Sequence, residues 1–255
     1  MTTKFKLRIF CVITFLLSTT VAAQNNARPA VLKSLEDEGI KVVQEFEIPG
    51  DMRAFAGTAG MRPVAIYVSK DGTAIIGTRV DSKAKALDEA QVEELALKPM
   101  GERMWEQLQV STWIQDGHVG APKLVFTFSD PNCPYCNRFW QAARPWVDSG
   151  KVQIRHIMVG IIKEDSASKA AAMLQSANPA AALKKNESNY SKGGIKPATH
   201  ISDKTRKALG ENQILMARSG FTGTPAVVYR DDKGMVQRHN GLPTEAQMTA
   251  ILGPK

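Results

Sequence analysis

The chain has 255 residues, with 33 Lys and Arg against 25 Asp and Glu and a formal net charge of +8. Its composition, 43% hydrophobic and 23% charged, is typical of globular proteins and excludes disordered, collagen-like and coiled-coil classes. No apolar run approaches the ~20 residues that a membrane-spanning helix needs. With 3 cysteines, the chain is not a small scaffold stapled by disulfides.

The beginning of the chain is predicted to be a secretory signal peptide. Three basic residues precede a short apolar stretch over residues 9–17, and small residues lead to a predicted cleavage site after Ala23. Cleavage removes Cys11 and leaves one pair, Cys133 and Cys136. We therefore expect an extracytoplasmic protein, located where a close cysteine pair can be oxidised.

The charge is spread unevenly along the mature chain. It sums to +1 over residues 24–86, −5 over 87–116 and +9 over 117–255. These zones predict a small leading domain over 24–86, a linker helix over 87–116 and a larger domain over 117–255. In the leading domain, a short helix over 29–38 precedes alternating stretches that are typical of an antiparallel sheet.

The linker zone is rich in good helix formers from Asp88 to Gln109. Pro99 and Gly101 interrupt this stretch, which predicts a kink or two helices. Its apolar residues follow helical spacing only loosely, so we interpret it as a solvated helix that connects the two domains.

The third zone alternates between strand and helix patterns, which predicts an α/β fold. An apolar strand leads into the cysteine pair, and a helix follows it. The remaining predicted elements, in chain order, are a strand over 152–162, a helical insert over about 163–220, a strand over 224–229, a strand over 235–239 and a helix over 243–252.

The run Cys133-Pro134-Tyr135-Cys136 lies where the apolar strand turns into the helix. Unpaired N–H groups and the helix dipole stabilise a thiolate at that place, which lowers the pKa of Cys133 from about 8.5. Pro134 suits the first helical position because it has no N–H to leave unpaired. Cys136 lies one turn deeper, and we expect it to be less open to solvent than Cys133. The pattern favours an attacking sulfur at Cys133 and a resolving sulfur at Cys136.

Other uses of the cysteine pair are disfavoured. A structural disulfide closing so short a loop removes little entropy from the unfolded chain. Zinc needs two more ligands, and haem attachment needs a histidine where Asn137 stands. The histidines are scattered, and we interpret each as an ordinary surface or loop residue; they are His118, His156, His200 and His239. We expect neither a metal nor a cofactor.

Thr224-Pro225 stands at the head of the apolar strand predicted over 224–229. Only about 5–6% of X–Pro bonds are cis in folded proteins, so the dipeptide alone is a weak signal. A cis bond would turn the Thr224 backbone outward and leave its N–H and C=O free to pair with an extended substrate. It would also keep a metal away from the sulfurs.

The cysteine pair after a strand, with Thr-Pro before a later strand, resembles the thioredoxin superfamily. The leading domain, linker and helical insert narrow the resemblance to the periplasmic disulfide isomerases of the DsbC/DsbG type, closest to the DsbG members. The resemblance spans essentially the whole mature chain, and its most specific stretches are residues 128–136, Phe139-Trp140 and 143–153.

The resemblance implies a thioredoxin-like catalytic domain preceded by a small α+β (cystatin-like) dimerisation domain. It implies a V-shaped homodimer joined through residues 24–86, periplasmic protein substrates and an inner-membrane thiol reductase of the DsbD type. It also implies disulfide isomerase or reductase activity, reduction of sulfenic acids on single cysteines, and chaperone activity. Thr224 and Pro225 would bind the substrate backbone, and Pro134 and Tyr135 would modulate the reactivity of the cysteine pair.

The basic charge of residues 117–255 departs from the acidic clefts associated with DsbG-like proteins. Substrate preference is therefore the property that transfers least from the resemblance. Two alternatives remain open: a net disulfide oxidase, and a holdase chaperone that works without redox chemistry. A nucleic-acid partner is disfavoured, because the chain is predicted to be exported and has no nucleic-acid recognition motif.

Overall fold

The computed structural model describes residues 27–255, so the predicted signal peptide and its cleavage site lie outside the described residues. The helices are α1 (Ala30–Asp37), α2 (Glu89–Val92), α3 (Lys98–Val110), α4 (Pro134–Asp148), α5 (Ser166–Leu174), α6 (Pro179–Ser188), α7 (Asp203–Arg218) and α8 (Glu245–Leu252). The strands are β1 (Ile40–Phe46), β2 (Arg53–Ala59), β3 (Arg62–Val68), β4 (Ala74–Gly77), β5 (Ile114–Asp116), β6 (Lys123–Ser129), β7 (Val152–Met158), β8 (Ala226–Arg230) and β9 (Val236–Asn240).

The first four strands form an antiparallel sheet in the order β1-β2-β3-β4. Alternating side chains of β2 and β3 face opposite ways, because successive residues of a strand point to opposite faces. Phe55 and Ile66 pack against Leu32 of α1 on one face. Ala54 and Tyr67 lie on the other face, where the start of the linker covers them. The predicted helix and four strands are thus confirmed.

The linker is helical from Glu89 to Val110, but its interruption lies upstream of the predicted place. Residues Glu93–Leu97 form a π-helical stretch between α2 and α3, whereas Pro99 and Gly101 lie within α3. Pro99 occupies the first turn of α3, where its missing N–H costs little. Within residues 27–255, no helix is long and apolar enough to cross a membrane.

Helix α3 is not a solvated connector, so that interpretation was wrong. Trp105 packs edge-on against Phe126 of the second sheet, with ring centroids 5.0 Å apart. Arg230 of β8 donates to both carboxylate oxygens of Glu102, at 2.6 and 2.7 Å. Bidentate pairs of this kind fix orientation as well as adding energy. The buried residues of α3 are Gly101, Met104, Trp105 and Leu108.

The second sheet has the order β5-β7-β6-β8-β9. Strands β6 and β7 are parallel, and β8 runs antiparallel to β6. Strand β5, which the sequence pattern did not predict, adds to the edge of β7. Helices α4 and α8 cover one face of the sheet, and α3 and α7 cover the other. This layering confirms the predicted α/β fold class.

The region between β7 and β8 holds α5, α6 and α7, with a single turn of 3-10 helix at Tyr190–Lys192. These helices share a core of their own that also includes Ile114 and Met158 of the sheet. Gly160 permits the close approach of α5, because a Cβ there would lie 2.5 Å from the Cα of Ala167.

The carboxylate of Asp130 joins this helical region to the loop that follows β6. It accepts hydrogen bonds from the N–H groups of Asn132, Ile161 and Ile162, at 2.8, 2.7 and 3.1 Å, and from the hydroxyl of Ser166 at 2.8 Å. Asp130 is 1% exposed, so all four bonds lie away from competing water. One side chain therefore fixes three segments relative to each other.

We expect Asp130→Asn to lower the melting temperature by several degrees. In the variant, an NH₂ group replaces one of the two carboxylate oxygens and cannot accept the hydrogen bonds of that oxygen. Each buried donor that is left unpaired costs about 1–3 kcal/mol. In a domain of this size that corresponds to a decrease of about 5 °C. Circular dichroism during heating measures it. Asp148→Asn, which changes an exposed carboxylate in the same way, serves as the control. Equal shifts in the two variants would contradict the role of Asp130.

Candidate active site

The two cysteines of the predicted motif lie at the start of α4, and both are free thiols. Cys133 is the residue that caps the helix, and Pro134 is the first helical residue. The N–H of Cys136 donates to the Cys133 sulfur over 3.1 Å. The sulfur thus takes the place of the side-chain oxygen that usually accepts from a helix N-terminus.

This position lowers the pKa of Cys133 from its ordinary value to about 6. Hydrogen bonding with the Cys136 side chain is the largest cause; burial opposes it, and Thr224 and nearby N–H groups lower the pKa further. Burial raises the pKa of Cys136 well above its ordinary value, and its interaction with Cys133 adds to that rise. At neutral pH the pair therefore holds one thiolate and one thiol.

Both cysteines have little exposed surface, yet burial acts more strongly on the pKa of Cys136 than on that of Cys133, in the direction of the predicted difference in solvent access. Cys133 is 2% exposed and Cys136 is 4% exposed. Tyr135, between them, is 52% exposed and is the part of the motif that faces solvent. The asymmetry between the cysteines therefore lies in their protonation and hydrogen bonding.

The loop before β8 brings Thr224 to the cysteine pair. The Thr224–Pro225 peptide bond is cis. The Cys133 sulfur lies 3.3 Å from the Thr224 carbonyl oxygen, which accepts a hydrogen bond from it only while the sulfur is protonated. The carbonyl that was predicted to be free for a substrate thus faces the reactive sulfur, and the thiolate form leaves it without that bond. The antiparallel pairing of Ala226 with Phe128 brings these two distant segments together.

The active-site loop is held by a buried polar network that the sequence analysis missed. The side-chain NH₂ group of Asn132 donates to Asp165 and Ser166, at 2.8 and 2.9 Å. The side-chain oxygen of Asn132 accepts from Lys169 at 2.9 Å. Lys169 also pairs with Asp165 over 3.0 Å. The hydroxyl of Tyr190 donates to the backbone oxygen of Asn132 over 2.9 Å. The contacts of Asn132 link the loop to the helical insert, and the Lys169–Asp165 pair lies within the insert.

Helix α6 makes a second attachment, beside Cys136. Asn137 donates from its side chain to the backbone oxygen and to the carboxylate of Glu187, both at 2.8 Å. Glu187 is buried, and that burial raises the pKa of its carboxyl group, opposed by the hydrogen bonds of Asn137 and Asn186. The first turn of α4 is thus held against the insert through groups away from solvent.

His156 is buried in β7, so its interpretation as a surface or loop residue was wrong. Its ring nitrogens lie 3.3 Å from the Ser129 hydroxyl and 3.4 Å from the Asp116 carboxylate. Arg144 binds the same carboxylate and lies over the Trp140 ring, 4.1 Å from its centroid. Burial raises the pKa of Asp116, but His156 and Arg144 outweigh it and lower that pKa to about 2.

The sequence offered few signals for these residues, because their partners lie between 27 and 58 positions away along the chain. The polar character of the loop after an apolar strand was the available signal. Among residues 27–255, no group of three or more His, Cys, Asp or Glu side chains is placed to hold a metal ion.

The arrangement suits nucleophilic attack by sulfur. A thiolate with a pKa near or below the ambient pH attacks disulfides efficiently, and a second thiol one turn away can displace it from the product. The Thr224 carbonyl oxygen lies 3.3 Å from the reactive sulfur. Together these groups can exchange disulfide bonds without a metal or an organic cofactor.

A family model described as a thioredoxin-like domain matches residues 118–254. The chain is 39% identical over 241 residues to the thiol:disulfide interchange protein DsbG of Pseudomonas aeruginosa, which covers 94% of each chain. It is 38% identical over 228 residues to DsbG of Escherichia coli, which covers 89% of this chain and 92% of that protein.

Among solved structures, the chain is similar to DsbG of Helicobacter pylori at 16% identity with a TM-score of 0.40, covering 79% of this chain and 98% of that one. The relatives from Pseudomonas and Escherichia match nearly end to end, and the domain model matches the half that carries the cysteine pair. On that basis the chain belongs to the DsbG family of periplasmic thiol:disulfide interchange proteins.

Proposed function

We propose that Cys133 is the nucleophile and Cys136 the resolving cysteine of this thiol–disulfide oxidoreductase, and that it acts as a disulfide isomerase and reductase. The observation that carries the proposal is the Cys133 sulfur, held at the start of α4 with its pKa lowered to about 6 while that of Cys136 is raised. Thr224 and Pro225 dock the substrate backbone, and Pro134 and Tyr135 tune the pair.

The reaction proceeds in two exchanges. The Cys133 thiolate attacks one sulfur of a substrate disulfide; a mixed disulfide forms, and the other substrate sulfur leaves as a thiolate that takes up a proton. Cys136 then loses its proton and attacks the Cys133 sulfur, releasing the second substrate thiolate and forming the Cys133–Cys136 disulfide. In isomerisation, a substrate thiolate instead attacks the mixed disulfide and releases Cys133 unchanged.

A sulfenic acid on a single cysteine reacts in the same way. The Cys133 thiolate attacks the sulfenic sulfur, the S–O bond breaks, and hydroxide leaves and is protonated to water. The same mixed disulfide results, and Cys136 resolves it. Each turnover that reduces a disulfide or a sulfenic acid oxidises the pair by two electrons, and we propose that an inner-membrane thiol reductase of the DsbD type returns it to the dithiol.

We expect the rate of Cys133 alkylation by iodoacetamide to be half-maximal at about pH 6. Below that pH the sulfur is protonated and the rate falls about tenfold per pH unit; above it the rate is constant, since only the thiolate reacts. Mass spectrometry of the alkylated peptide assigns the reaction to Cys133. The protein unfolded in denaturant is the control, with an expected midpoint of about pH 8.5. A midpoint near that value in the folded protein would contradict the proposed nucleophile.

We expect Cys136→Ala to accumulate mixed disulfides with substrate proteins in cells, because the first exchange proceeds and the second cannot. Cys133→Ala should form none, since Cys136 is buried with a raised pKa. Electrophoresis without reductant displays the adducts, and the double variant gives the background. Adducts of equal amount in the two single variants would contradict the division of roles.

Exposed apolar side chains near the sulfurs support chaperone-like substrate binding. Ile161 and Ile162 are 38% and 45% exposed, and their N–H groups bind the carboxylate of Asp130 in the active-site loop. Tyr135 is exposed within the motif itself. We propose that these side chains contact apolar segments of incompletely folded substrates.

We propose that the mature protein begins after Ala23 and acts in the periplasm as a homodimer. Division of the chain into a dimerisation domain (24–86), a linker (87–116) and a catalytic domain (117–255) is part of the same proposal. Strand β4 supports it: the strand is at the edge of its sheet, where Ile75 and Ile76 are 57% and 43% exposed. An exposed apolar edge strand is a template for pairing with another chain.

We expect the double variant Ile75→Lys, Ile76→Lys to be monomeric, because two charges on the paired edge would be buried without partners. Analytical ultracentrifugation of the wild type and the variant measures the change. Val119→Lys, at an exposed apolar residue outside this sheet, should leave the dimer intact. A dimeric edge variant would show that the chains associate through another surface.

A further inference from the structure

The helical insert carries an unbalanced positive charge. Between residues 170 and 202 the acidic residues are limited to Glu187, which is 5% exposed. The same stretch has four exposed lysines, and none of them is within 4 Å of a carboxylate oxygen of residues 27–255. We call this set the basic rim: Lys184, Lys185, Lys192 and Lys196.

The basic rim lies on one compact segment. The side-chain oxygen of Asn186 accepts from the N–H of Ile195 over 3.0 Å, and Gly194 donates to the backbone oxygen of Asn189 over 3.0 Å. Gly194 packs so closely that a Cβ there would lie 2.4 Å from the Asn186 side chain. The chain after α6 therefore folds back onto the end of α6, which places the two lysine-bearing parts next to each other.

The same segment contacts the active-site loop directly. Tyr190 donates to the backbone oxygen of Asn132, next to Cys133, and Asn186 donates to that of Pro131 over 3.2 Å. The backbone oxygen of Glu187 accepts from Asn137, which follows Cys136. The basic rim is thus fixed beside the reactive sulfur by three hydrogen bonds.

Local structure does not account for this charge. A lysine in the last turn of a helix is favoured by the dipole, and Lys185 lies in the last turn of α6. That argument does not extend to Lys192 or Lys196, which lie in the 3-10 turn and the loop beyond it. A substrate chain that reaches Cys133 must pass its flanking residues over neighbouring surfaces, and the insert is one of them.

We propose that the basic rim binds acidic side chains on either side of the target cysteine, so that the protein prefers acidic cysteine-bearing segments. The proposal rests on the role of Cys133 as nucleophile. Charge complementarity of this kind raises the rate of encounter more than the affinity, and salt screens it with a Debye length of about 10 Å at 0.1 M.

Two synthetic peptides test the preference. Each has one cysteine in a mixed disulfide with thionitrobenzoate, flanked by glutamates in one peptide and by lysines in the other. The release of thionitrobenzoate by the reduced, full-length protein gives a second-order rate constant for each peptide. We expect the glutamate peptide to react about tenfold faster at low ionic strength and the difference to shrink as salt is added.

Reversing the charge of the basic rim should reverse the preference. We expect the variant K184E/K185E/K192E/K196E to react faster with the lysine peptide. If it does not fold, as judged by circular dichroism, replacement of the same four lysines by glutamine should abolish the preference without reversing it.

The matched control places the same charge change at the opposite end of the strands. Strand β6 runs from Lys123 towards Cys133, and Lys123 pairs with Val152 at the far end. The variant K123E/K151E/K233E/K255E changes lysines at that end, in the first residues of β6, before β7, in the β8–β9 turn and at the carboxyl terminus. It should keep the preference for the glutamate peptide.

Three results would overturn the proposal. They are an equal reactivity of the wild type with both peptides, an equal loss of preference in the rim and control variants, and a loss of binding to phosphatidylglycerol vesicles by the rim variant with its peptide preference unchanged. The last would make the basic rim a membrane contact. If the wild type reacted with neither peptide, the assignment of Cys133 as nucleophile would fail as well.

Discussion

A sulfur atom at the start of α4 has to carry a negative charge inside the protein, and the rest of the structure depends on that requirement. Burial alone would favour the neutral thiol of Cys133. Hydrogen bonding with Cys136 and the N–H groups at the helix start outweighs burial, so the pKa falls to about 6. These interactions act over about 3 Å, and a small displacement of the loop would remove them.

The helical insert supplies the rigidity that such short contacts need. Asp130, Asn132 and Asn137 are polar groups buried under the cysteine pair, and each finds its partners in or beside the insert. Buried polar networks stabilise a structure when every member is paired and destabilise it when one is not. The network therefore fixes the loop in one geometry. It also attaches the insert, which carries the exposed lysines, to the active-site loop.

Helix α3 has a related role at the scale of the whole chain. Its packing of Trp105 on Phe126 and the pair between Glu102 and Arg230 attach it to the catalytic sheet. The turn between β2 and β3 also reaches this region, because Met61 packs beside Gly220 and its backbone oxygen accepts from Arg238. The leading sheet is thereby held in a defined position relative to the cysteine pair.

The sequence by itself determined the order of the elements, the α/β class and the strand–helix junction that holds Cys133 and Cys136, because periodicity and helix-start chemistry are local. The tertiary structure decided what local patterns do not encode: that α3 is packed and not solvated, that His156 is buried, and that Asp130 binds the distant backbone at Ile161. Pairing in the sheet and packing of the insert bring such residues together across tens of positions. The low exposure of both cysteines is another such result, since exposure depends on which other parts of the chain cover them.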